Sequence, residues 1–417
     1  MENGHHRVVV TGVGMVSPLG QNTEESWANM LAGQSGFTTT SEQYNIEGID
    51  TGGVCEVKGW DPNDKIGRKD ARRMDRYQQF VMVAAREAMA QSGLKITDDN
   101  RQRVGVFTGT GVGGVTTLVG TEQVRVASGP RRVSPFAIPR IMPNGAAGLV
   151  AIDMGAQGPC LNTTTACAAG NDGVGNGFLY VRHGLVDAAI VGGSEAPIIE
   201  VTLAAFSKAG ALSKRTEGTP SPFDKDRDGF IAAEGAGMLV IETLEHAQAR
   251  GAHILAELVG FGQTCDAYHI TAPSENGEGA IRAMKQALDM GGIKPSEVSY
   301  INAHGTGTPL NDSTESKAIK TLFGETAYNI PVSSTKSMTG HGMGATGAIE
   351  SIICTMAIRD QKVPPTINLV DPDPVCDLDY VSEGARDVKV EVASNNAFGF
   401  GGHNSVLVFK KFNGSHA

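Results

Sequence analysis

Short apolar runs alternate with amphipathic, helix-like segments along the chain, and this alternation restricts the possible folds more than any other feature. Strand-like runs occupy residues 7–14, 103–109, 188–194, 237–244, 254–262 and 298–305. Helix-like segments lie at 278–290, 312–323 and 345–360, and an earlier helical face carries Tyr77, Val81, Ala84 and Ala88. Strands that alternate with helices predict the α/β class.

The alternation runs through both halves of the chain without a break. No Pro/Ser-rich linker or low-complexity segment divides the 417 residues. The pattern starts again after the segment EHAQARG, which ends at Gly251. We therefore predict two packed α/β halves, residues 1–250 and 251–417, with their junction near Arg250.

Charge and composition exclude several classes of protein. The net charge of -10 argues against general nucleic-acid binding. No run approaches the ~18 apolar residues of a membrane span, and the start MENGHHRVVV lacks the apolar region of a secretory signal. The six cysteines form no CxxC pair, and His5 and His6 have no further ligand nearby. We expect a reduced, cytoplasmic protein without a membrane segment or a metal.

Cys167 is the best candidate nucleophile. It follows a threonine-rich strand-like run and precedes a helical segment whose apolar face carries Val174, Phe178 and Val181. A cysteine at a helix start feels the positive end of the helix dipole, which favours the thiolate. From the residues alone, a buried structural cysteine is the favoured interpretation, because such cysteines are common.

Two histidines lie in glycine-flanked loops beside predicted strands and helices. His304 follows a strand in NAHGTGTP, and His341 precedes a helix in TKSMTGHGMGATG, five residues after Lys336. Neutral imidazoles can donate hydrogen bonds to a developing oxyanion. Near the C-terminus, Phe400 in AFGFGGHN lies in a loop that could present a backbone N–H to the same charge.

Two apparent cofactor motifs fail on their spacing. Gly109, Gly111 and Gly114 match GxGxxG, but no acidic residue follows about twenty positions later at a strand end. The run DKDRDG begins like a calcium loop, yet its twelfth position is Gly235. We expect no cofactor.

One segment is basic although the chain as a whole is acidic. Its cations are Lys65, Arg68, Lys69, Arg72, Arg73 and Arg76, and Arg131 and Arg132 form a second small cluster. A patch of this kind is often only solvated, but it can also steer an acidic partner.

The motifs TACAAG, NAHGTGTP, SSTKSMTGHGMGATGAIES and NAFGFGGHN together resemble those of the elongating β-ketoacyl-[acyl-carrier-protein] synthases, and most of all their synthase II branch. The segments PFDKDRDGF and VPPTINL support the resemblance, which covers essentially the whole chain. It implies the thiolase-like fold, with two similar α/β halves in a five-layer αβαβα arrangement, and an obligate homodimer. It also implies that malonyl-ACP condenses with an acyl group taken from acyl-ACP, and that β-ketoacyl-ACP, CO2 and free acyl carrier protein are formed.

The resemblance also implies roles for individual residues. Cys167 would carry the acyl group, His304 and His341 would serve decarboxylation, Lys336 would lie beside them, and Glu350 would be a polar partner in the substrate region. The backbone N–H groups of Cys167 and Phe400 would form the oxyanion hole. Three further residues would contact substrate, Thr306 and Thr308 along the pantetheine arm and Val112 at the acyl pocket. Carrier-protein docking would fall to Lys65, Arg68, Lys69 and Arg131.

Small departures from the family spelling leave the chain-length preference open. HGTGT and HGMGATG replace the commoner HGTST and HLLGAAG, and Val112 stands where a larger branched residue is common. A synthase I-type enzyme or a polyketide ketosynthase of the same fold remains an alternative. A chain-length factor without catalysis is disfavoured because Cys167 is present.

Overall fold

The computed structural model describes residues 4–414. The strands of this range are β1 (Val8–Val16), β2 (Phe37–Thr38), β3 (Val54–Cys55), β4 (Val104–Gly109), β5 (Cys160–Thr163), β6 (Ala188–Glu195), β7 (Ala232–Ala233), β8 (Gly235–Thr243), β9 (Ala256–Cys265), β10 (Tyr300–Asn302), β11 (Val332–Ser333), β12 (Lys362–Val363), β13 (Arg386–Asp387), β14 (Val392–Gly399) and β15 (His403–Lys410). The α-helices are α1 (Thr23–Leu31), α2 (Pro62–Ile66), α3 (Arg68–Ala71), α4 (Arg76–Ser92), α5 (Val115–Ser128), α6 (Ala137–Ile141), α7 (Gly145–Met154), α8 (Ala169–Arg182), α9 (Glu200–Lys208), α10 (Leu244–Ala249), α11 (Glu278–Gly291), α12 (Pro309–Phe323), α13 (Lys336–Thr339) and α14 (Thr346–Asp360).

Ten strands form one sheet in the order β11-β10-β14-β15-β9-β1-β8-β6-β4-β5. The order is symmetric about its centre, where β1 and β9 pair antiparallel through Val8–Val10 and Ala256–Leu258. On each side of the centre the next two pairings are antiparallel and the outer two are parallel. The two halves of the chain therefore repeat one five-stranded arrangement, in which β5 corresponds to β11 and β4 to β10.

Helices pack on both faces of these two half-sheets. The middle layer consists of α8 and α14, which contact each other and lie against β6 and β8, while α14 also reaches β14. The outer layers contain α4, which packs on β1, β6 and β8, and α11, which packs on β9 and β15. This is the five-layer αβαβα arrangement that the sequence resemblance predicted.

The middle helices approach closely because small residues face each other. A Cβ added at Gly170 would lie 2.6 Å from the carbonyl oxygen of Gly344 and 2.7 Å from the nitrogen of Ala348. A side chain at this position would therefore push α14 away from α8. The buried face of α14 extends from Thr346 to Ile358, so this helix is enclosed by both halves.

The predicted elements agree with the structure to within a few residues. The segments 278–290, 312–323 and 345–360 are helices α11, α12 and α14, and the predicted face of α4 is buried from Tyr77 to Ala88. Helix α4 begins at a capping box formed by Asp75 and Gln78. Arg250 lies in the connection between α10 and β9, and the division of the chain at this point stays a prediction.

In the described part of the chain, no helix combines the length and apolarity that a membrane crossing requires. The predicted absence of a leader concerns in part residues 1–3, which lie outside the described residues.

Candidate active site

The candidate residues follow the carboxyl ends of neighbouring strands. Cys167 follows β5, His304 follows β10, and Lys336 and His341 follow β11. Phe400 lies in the short connection between β14 and β15. Loops at the carboxyl ends of such strands meet at one edge of the sheet, so the fold brings distant segments together there.

Cys167 lies in a strained turn immediately before α8. The single 3-10 turn Ala166–Ala168 leads into the helix, and Ala166 has a φ of 51°, in the left-handed region that non-glycine residues rarely adopt. The Thr165 hydroxyl donates to the carboxylate of Asp172 over 2.6 Å and so ties the turn to the first turn of α8. The placement at a helix start is therefore the one predicted.

Two backbone amides are directed at the Cys167 thiol. The N–H groups of Phe400 and of Cys167 itself both stabilise the thiolate and lower the pKa of the thiol. A Cβ at Gly399 would lie only 3.1 Å from the nitrogen of Cys167, so the loop 399–402 presses directly on the nucleophile turn. This pair of donors is the arrangement that an oxyanion hole requires.

Burial outweighs the helix-start effect on the pKa of Cys167. Burial raises the pKa of the thiol to about 11, and this effect outweighs the opposing influence of the Lys336 charge and the two amides. At neutral pH the resting group is therefore a thiol rather than a thiolate. The helix-start argument failed because it considered the helix end and left out the desolvation that tertiary packing imposes.

His304 and His341 form a contacting pair in the same cleft. Their ring centroids are 5.4 Å apart at an interplanar angle of 84°, and both residues are buried. The hydroxyl of Thr346 lies 3.3 Å from Nδ1 of His341, which fixes the orientation of that ring. Burial, together with the positive charge of Lys336, lowers the pKa of both imidazoles well below its ordinary value. Both rings are therefore neutral near pH 7, and each can donate a hydrogen bond from one ring nitrogen and accept one at the other.

Lys336 supplies the positive charge from beneath the cleft. Its Nζ donates to Oε1 of Glu350 over 2.5 Å, and the two side chains are each 1% exposed. Burial raises the pKa of Glu350 to about 7, although the Lys336 cation opposes this change. Glu350 thus anchors Lys336, and it does not belong to the cleft lining as a substrate-contacting residue would.

A second buried carboxylate holds the His304 loop. Glu315 of α12 accepts hydrogen bonds from the backbone N–H groups of His304 and Gly305, each over 2.8 Å. It also accepts one from Asn396 over 3.1 Å. These bonds fix the backbone of His304 independently of its ring.

The cleft above these groups has a volume of about 370 Å³ and a mostly apolar wall. Thr306 and Thr308 line it, as predicted, and their hydroxyls lie 2.9 Å apart. Other lining residues include Phe206, Phe230, Met343, Phe398 and Leu310. The cleft therefore joins a polar reaction centre to an apolar channel that could hold a thioester arm.

Val112 is absent from the lining of this cleft. Its side chain is 42% exposed in the single chain, and its backbone N–H donates to Glu195. It is therefore not a core residue, and its predicted place at an acyl pocket stays a prediction.

The basic segment forms a surface patch with one exception. Arg68, Lys69, Arg72 and Arg73 are exposed around Phe136, and the Arg73 guanidinium lies 5.1 Å from the centre of that ring. Lys65 and Arg131 are exposed as well.

Arg76 does not belong to this patch. It is 9% exposed and is bonded to both carboxylate oxygens of Glu234. The sequence interpretation that extended the basic surface to Arg76 is therefore corrected.

Two residues of the site region were missed from the sequence. Phe398 contacts His304 with ring centroids 5.7 Å apart, and Glu195 accepts hydrogen bonds from loops of both halves. An acidic residue that closes the apolar run AAIVGGSE is unusual, and it could have marked Glu195. Among residues 4–414 no three His, Cys, Asp or Glu side chains are arranged to hold a metal.

Comparisons with known proteins agree with this geometry. Residues 5–247 match the model of the beta-ketoacyl synthase N-terminal domain, and residues 255–370 match that of the C-terminal domain. The chain is 50% identical over 408 residues to a 3-oxoacyl-[acyl-carrier-protein] synthase 2 of Staphylococcus aureus, covering 97% of this chain and 98% of the relative. Identity is 49% over 410 residues to the Synechocystis protein of the same name, with the same coverage.

A solved structure is similar over nearly the full length. It is described as a type II PKS acyl-carrier protein in complex with its ketosynthase bound to the hexaketide. It aligns with a TM-score of 0.90 at 36% identity and covers 98% of this chain and 100% of the other. The two domain models span most of the chain, the full-length relatives are about 50% identical to it, and the solved structure shares its fold. The chain therefore belongs to the β-ketoacyl synthase family.

Proposed function

We propose that this condensing enzyme elongates acyl chains in fatty-acid synthesis, with Cys167 as the acyl carrier and His304 and His341 as the decarboxylating pair. The family and the two curated relatives support this reaction. The observation that carries the residue assignment is the convergence of one thiol, two neutral imidazoles and two thiol-directed amides in one cleft.

The first step is acyl transfer. The Cys167 sulfur attacks the carbonyl carbon of acyl-ACP, and its proton is passed on as the carrier thiol leaves, so that one thioester is exchanged for another. The N–H groups of Cys167 and Phe400 hold the oxyanion of the tetrahedral intermediate. A thiol with a pKa near 11 must lose its proton during the attack, so proton transfer belongs to this step.

The second step is condensation. The C–C bond to the malonyl carboxylate breaks, CO2 leaves, and the electron pair forms an enolate on the malonyl thioester. Two neutral imidazoles, His304 and His341, donate to this enolate oxygen. The enolate carbon then attacks the acyl group on Cys167, the C–S bond breaks, and the thiolate takes up one proton. The sum is acyl-ACP, malonyl-ACP and a proton to β-ketoacyl-ACP, CO2 and free carrier.

The cleft provides for the carrier's prosthetic arm. Thr306 and Thr308 present hydroxyl groups along it, and they are proposed to hydrogen-bond the pantetheine amides. Leu310 at the rim is 61% exposed, so the mouth of the cleft offers apolar surface as well. Val112 is proposed to border the acyl channel beyond Cys167.

The acyl carrier protein is the proposed partner of the basic patch. Arg68, Lys69, Arg72 and Arg73 form no ion pair within the described residues, so their charge is available to an acidic surface. Lys65 and Arg131 are proposed to widen this docking area. The solved complex of a similar ketosynthase with its carrier supports such a partner.

We also propose that the enzyme is a homodimer. Strand β5 forms one edge of the large sheet, and its residues Cys160 and Leu161 are exposed. The helices beside it expose further apolar side chains, among them Ile152 at 80% and Ile138 at 64%. An open strand edge within an apolar surface favours a second copy as its cover.

The location and the domain division complete the proposal. All six cysteines are unpaired, as suits the reducing cytoplasm. Residues 1–250 carry the nucleophile and residues 251–417 carry both histidines, which defines the two proposed thiolase-like halves.

An elongation assay over a series of acyl-ACP chain lengths with malonyl-ACP tests the function. The wild type should form β-ketoacyl-ACP and release CO2, and Cys167→Ala should form none. Product formation by Cys167→Ala would reject the assigned nucleophile, and no product from the wild type with any chain length would reject the function.

A further inference from the structure

Glu195 is a fully buried carboxylate at the junction between the two halves. It ends β6 and accepts hydrogen bonds from the Thr110 hydroxyl over 2.7 Å and from the N–H of Val112 over 3.2 Å. The N–H of Gly111 donates to its second oxygen, and so does that of Gly344 over 3.1 Å. The first three donors belong to the loop after β4, whereas Gly344 lies in the C-terminal half.

All four of these groups donate to the carboxylate. Three of them are backbone N–H groups, which can only donate and so suit the ionised form, whereas the Thr110 hydroxyl can also accept a hydrogen bond. Burial raises the pKa of Glu195, while the hydrogen bonds from Thr110 and the backbone amides oppose that effect. No basic side chain forms an ion pair with it among the described residues, so its charge is balanced by backbone and hydroxyl dipoles alone.

The two loops have no room to move past each other. A Cβ at Gly344 would lie 2.5 Å from the nitrogen of Gly111 and 2.8 Å from Oε2 of Glu195. A Cβ at Gly111 would lie 3.6 Å from the carbonyl oxygen of Ala166, which directly precedes Cys167. The carboxylate therefore sits where the Cys167 turn, the loop after β4 and the turn Met343–Ala345 meet.

We propose that Glu195 is a positioning residue that fixes His341 relative to Cys167 by tying the turn Met343–Ala345 to the N-terminal half. His341 lies three residues before Gly344, and only Gly342 separates it from this turn. Glu195 does not line the cleft, so it acts through these two residues rather than on substrate. The inference rests on the proposed function, because it assigns His341 to decarboxylation and Cys167 to acyl transfer.

Two substitutions separate the reach of Glu195 from its charge. Glu195→Asp keeps the charge but withdraws the carboxylate by about 1.5 Å, one C–C bond, so that it cannot hold both loops. Glu195→Gln keeps the length but removes the charge and points an NH2 group at N–H donors. The matched control is Glu242→Gln on the neighbouring strand β8. Glu242 is also fully buried, and it accepts hydrogen bonds from Thr11 and Arg250 outside the cleft.

The first readout resolves the two chemical steps. Enzyme preloaded with acyl-Cys167 is mixed with malonyl-ACP, and CO2 release is followed in a single turnover. A misplacement of about 1 Å can cost roughly 100-fold in rate, so both Glu195 variants should release CO2 at least about tenfold more slowly. Acylation of Cys167, measured separately by intact-protein mass, should slow by less than about threefold, since the N–H groups of Cys167 and Phe400 that form its proposed oxyanion hole lie outside the turn Met343–Ala345.

The second readout is the pH dependence of Cys167 alkylation by iodoacetamide. The charge of Glu195 raises the pKa of this thiol, and Lys336 lowers it. The other titratable groups near the thiol are His304 and His341 in the cleft and Asp172 on α8, and none of them is changed. The alkylation midpoint should therefore move to lower pH in Glu195→Gln and stay near the wild-type value in Glu195→Asp and Glu242→Gln.

The outcomes distinguish this proposal from the proposed function. The positioning role would be overturned if the Glu195 variants behaved like the control Glu242→Gln. In that case they would slow acylation and CO2 release equally, and their alkylation profiles would be unshifted. A wild type that releases no CO2 would overturn the proposed function instead, and the role tied to it. If neither Glu195 variant folds, Thr110→Val removes one donor and should slow CO2 release selectively. An equal effect of Thr110→Val on both steps would refute the role.

Discussion

Replacing Lys336 by methionine should lower both the stability of the folded protein and the reactivity of the Cys167 thiol, for different physical reasons. Nζ of Lys336 lies 2.5 Å from Oε1 of Glu350, and both side chains are nearly inaccessible to solvent. Removing one member of a buried pair costs about 3–5 kcal/mol, because the other charge remains unpaired. The loss of stability should be smaller at pH values at which Glu350 can take up a proton. The pKa of Glu350 is already raised to about 7 with the Lys336 cation present.

The pH dependence follows from the sign of this shift. Without Lys336 the folded-state pKa of Glu350 rises further above its unfolded value of about 4.3. The folded protein then binds a proton that the unfolded chain releases, so stability is lost as pH increases through the folded-state pKa. Thermal melting of Lys336→Met should therefore drop more at pH 8.5 than at pH 6. The double variant Lys336→Met/Glu350→Gln should recover most of the stability and lose this extra pH dependence.

Reactivity should not recover in the double variant. The Lys336 charge lowers the pKa of Cys167, so its removal raises that pKa above about 11. Each further pKa unit lowers the thiolate fraction of Cys167 at pH 8 about tenfold. Iodoacetamide alkylation at pH 8 should therefore slow accordingly in Lys336→Met and in the double variant. Alkylation at the wild-type rate in a folded Lys336→Met protein would refute the electrostatic role. Parallel recovery of stability and reactivity in the double variant would do the same.

Three further predictions test other parts of the account. His304→Ala and His341→Ala should each slow CO2 release from malonyl-ACP by roughly 10²–10³ while acylation of Cys167 partly survives; unchanged release in both would reject their role. Arg68→Glu/Lys69→Glu should raise KM for acyl-ACP but not for acyl-CoA. The difference should shrink with added salt, which screens charges beyond ~10 Å at 0.1 M. Equal losses on both substrates, or the same effect from the control Lys95→Glu, would reject the docking patch. Leu161→Glu on the β5 edge should give monomers in analytical ultracentrifugation, whereas a dimer that persists would move the interface elsewhere.

Local pattern was sufficient for much of the fold and for marking Cys167, His304 and His341 as candidate site residues. The apolar period of α4 and the strand-end positions of Cys167 and His304 depend on neighbours in sequence, which a single chain displays. The five-layer arrangement came from the resemblance of four motifs to a known family.

Properties that depend on distant packing could not be predicted in this way. The raised pKa of Cys167 arises from burial by loops of both halves, and Arg76 left the basic patch because Glu234, 158 residues away, binds it. Glu195 was missed because its donors come from loops far apart in the chain. The exposure of Val112 could not be predicted either, because it depends on which surfaces the folded chain leaves uncovered.

The central claim is that Cys167 carries the growing acyl chain. The most direct test is to incubate the enzyme with acyl-ACP in the absence of malonyl-ACP, weigh the intact protein, and map the adduct by peptide mass spectrometry. The account predicts a mass increase of one acyl group per chain, placed on the peptide that contains Cys167, lost upon addition of malonyl-ACP and absent from Cys167→Ala. An adduct that persists in Cys167→Ala, or that lies on another of the six cysteines, would contradict it.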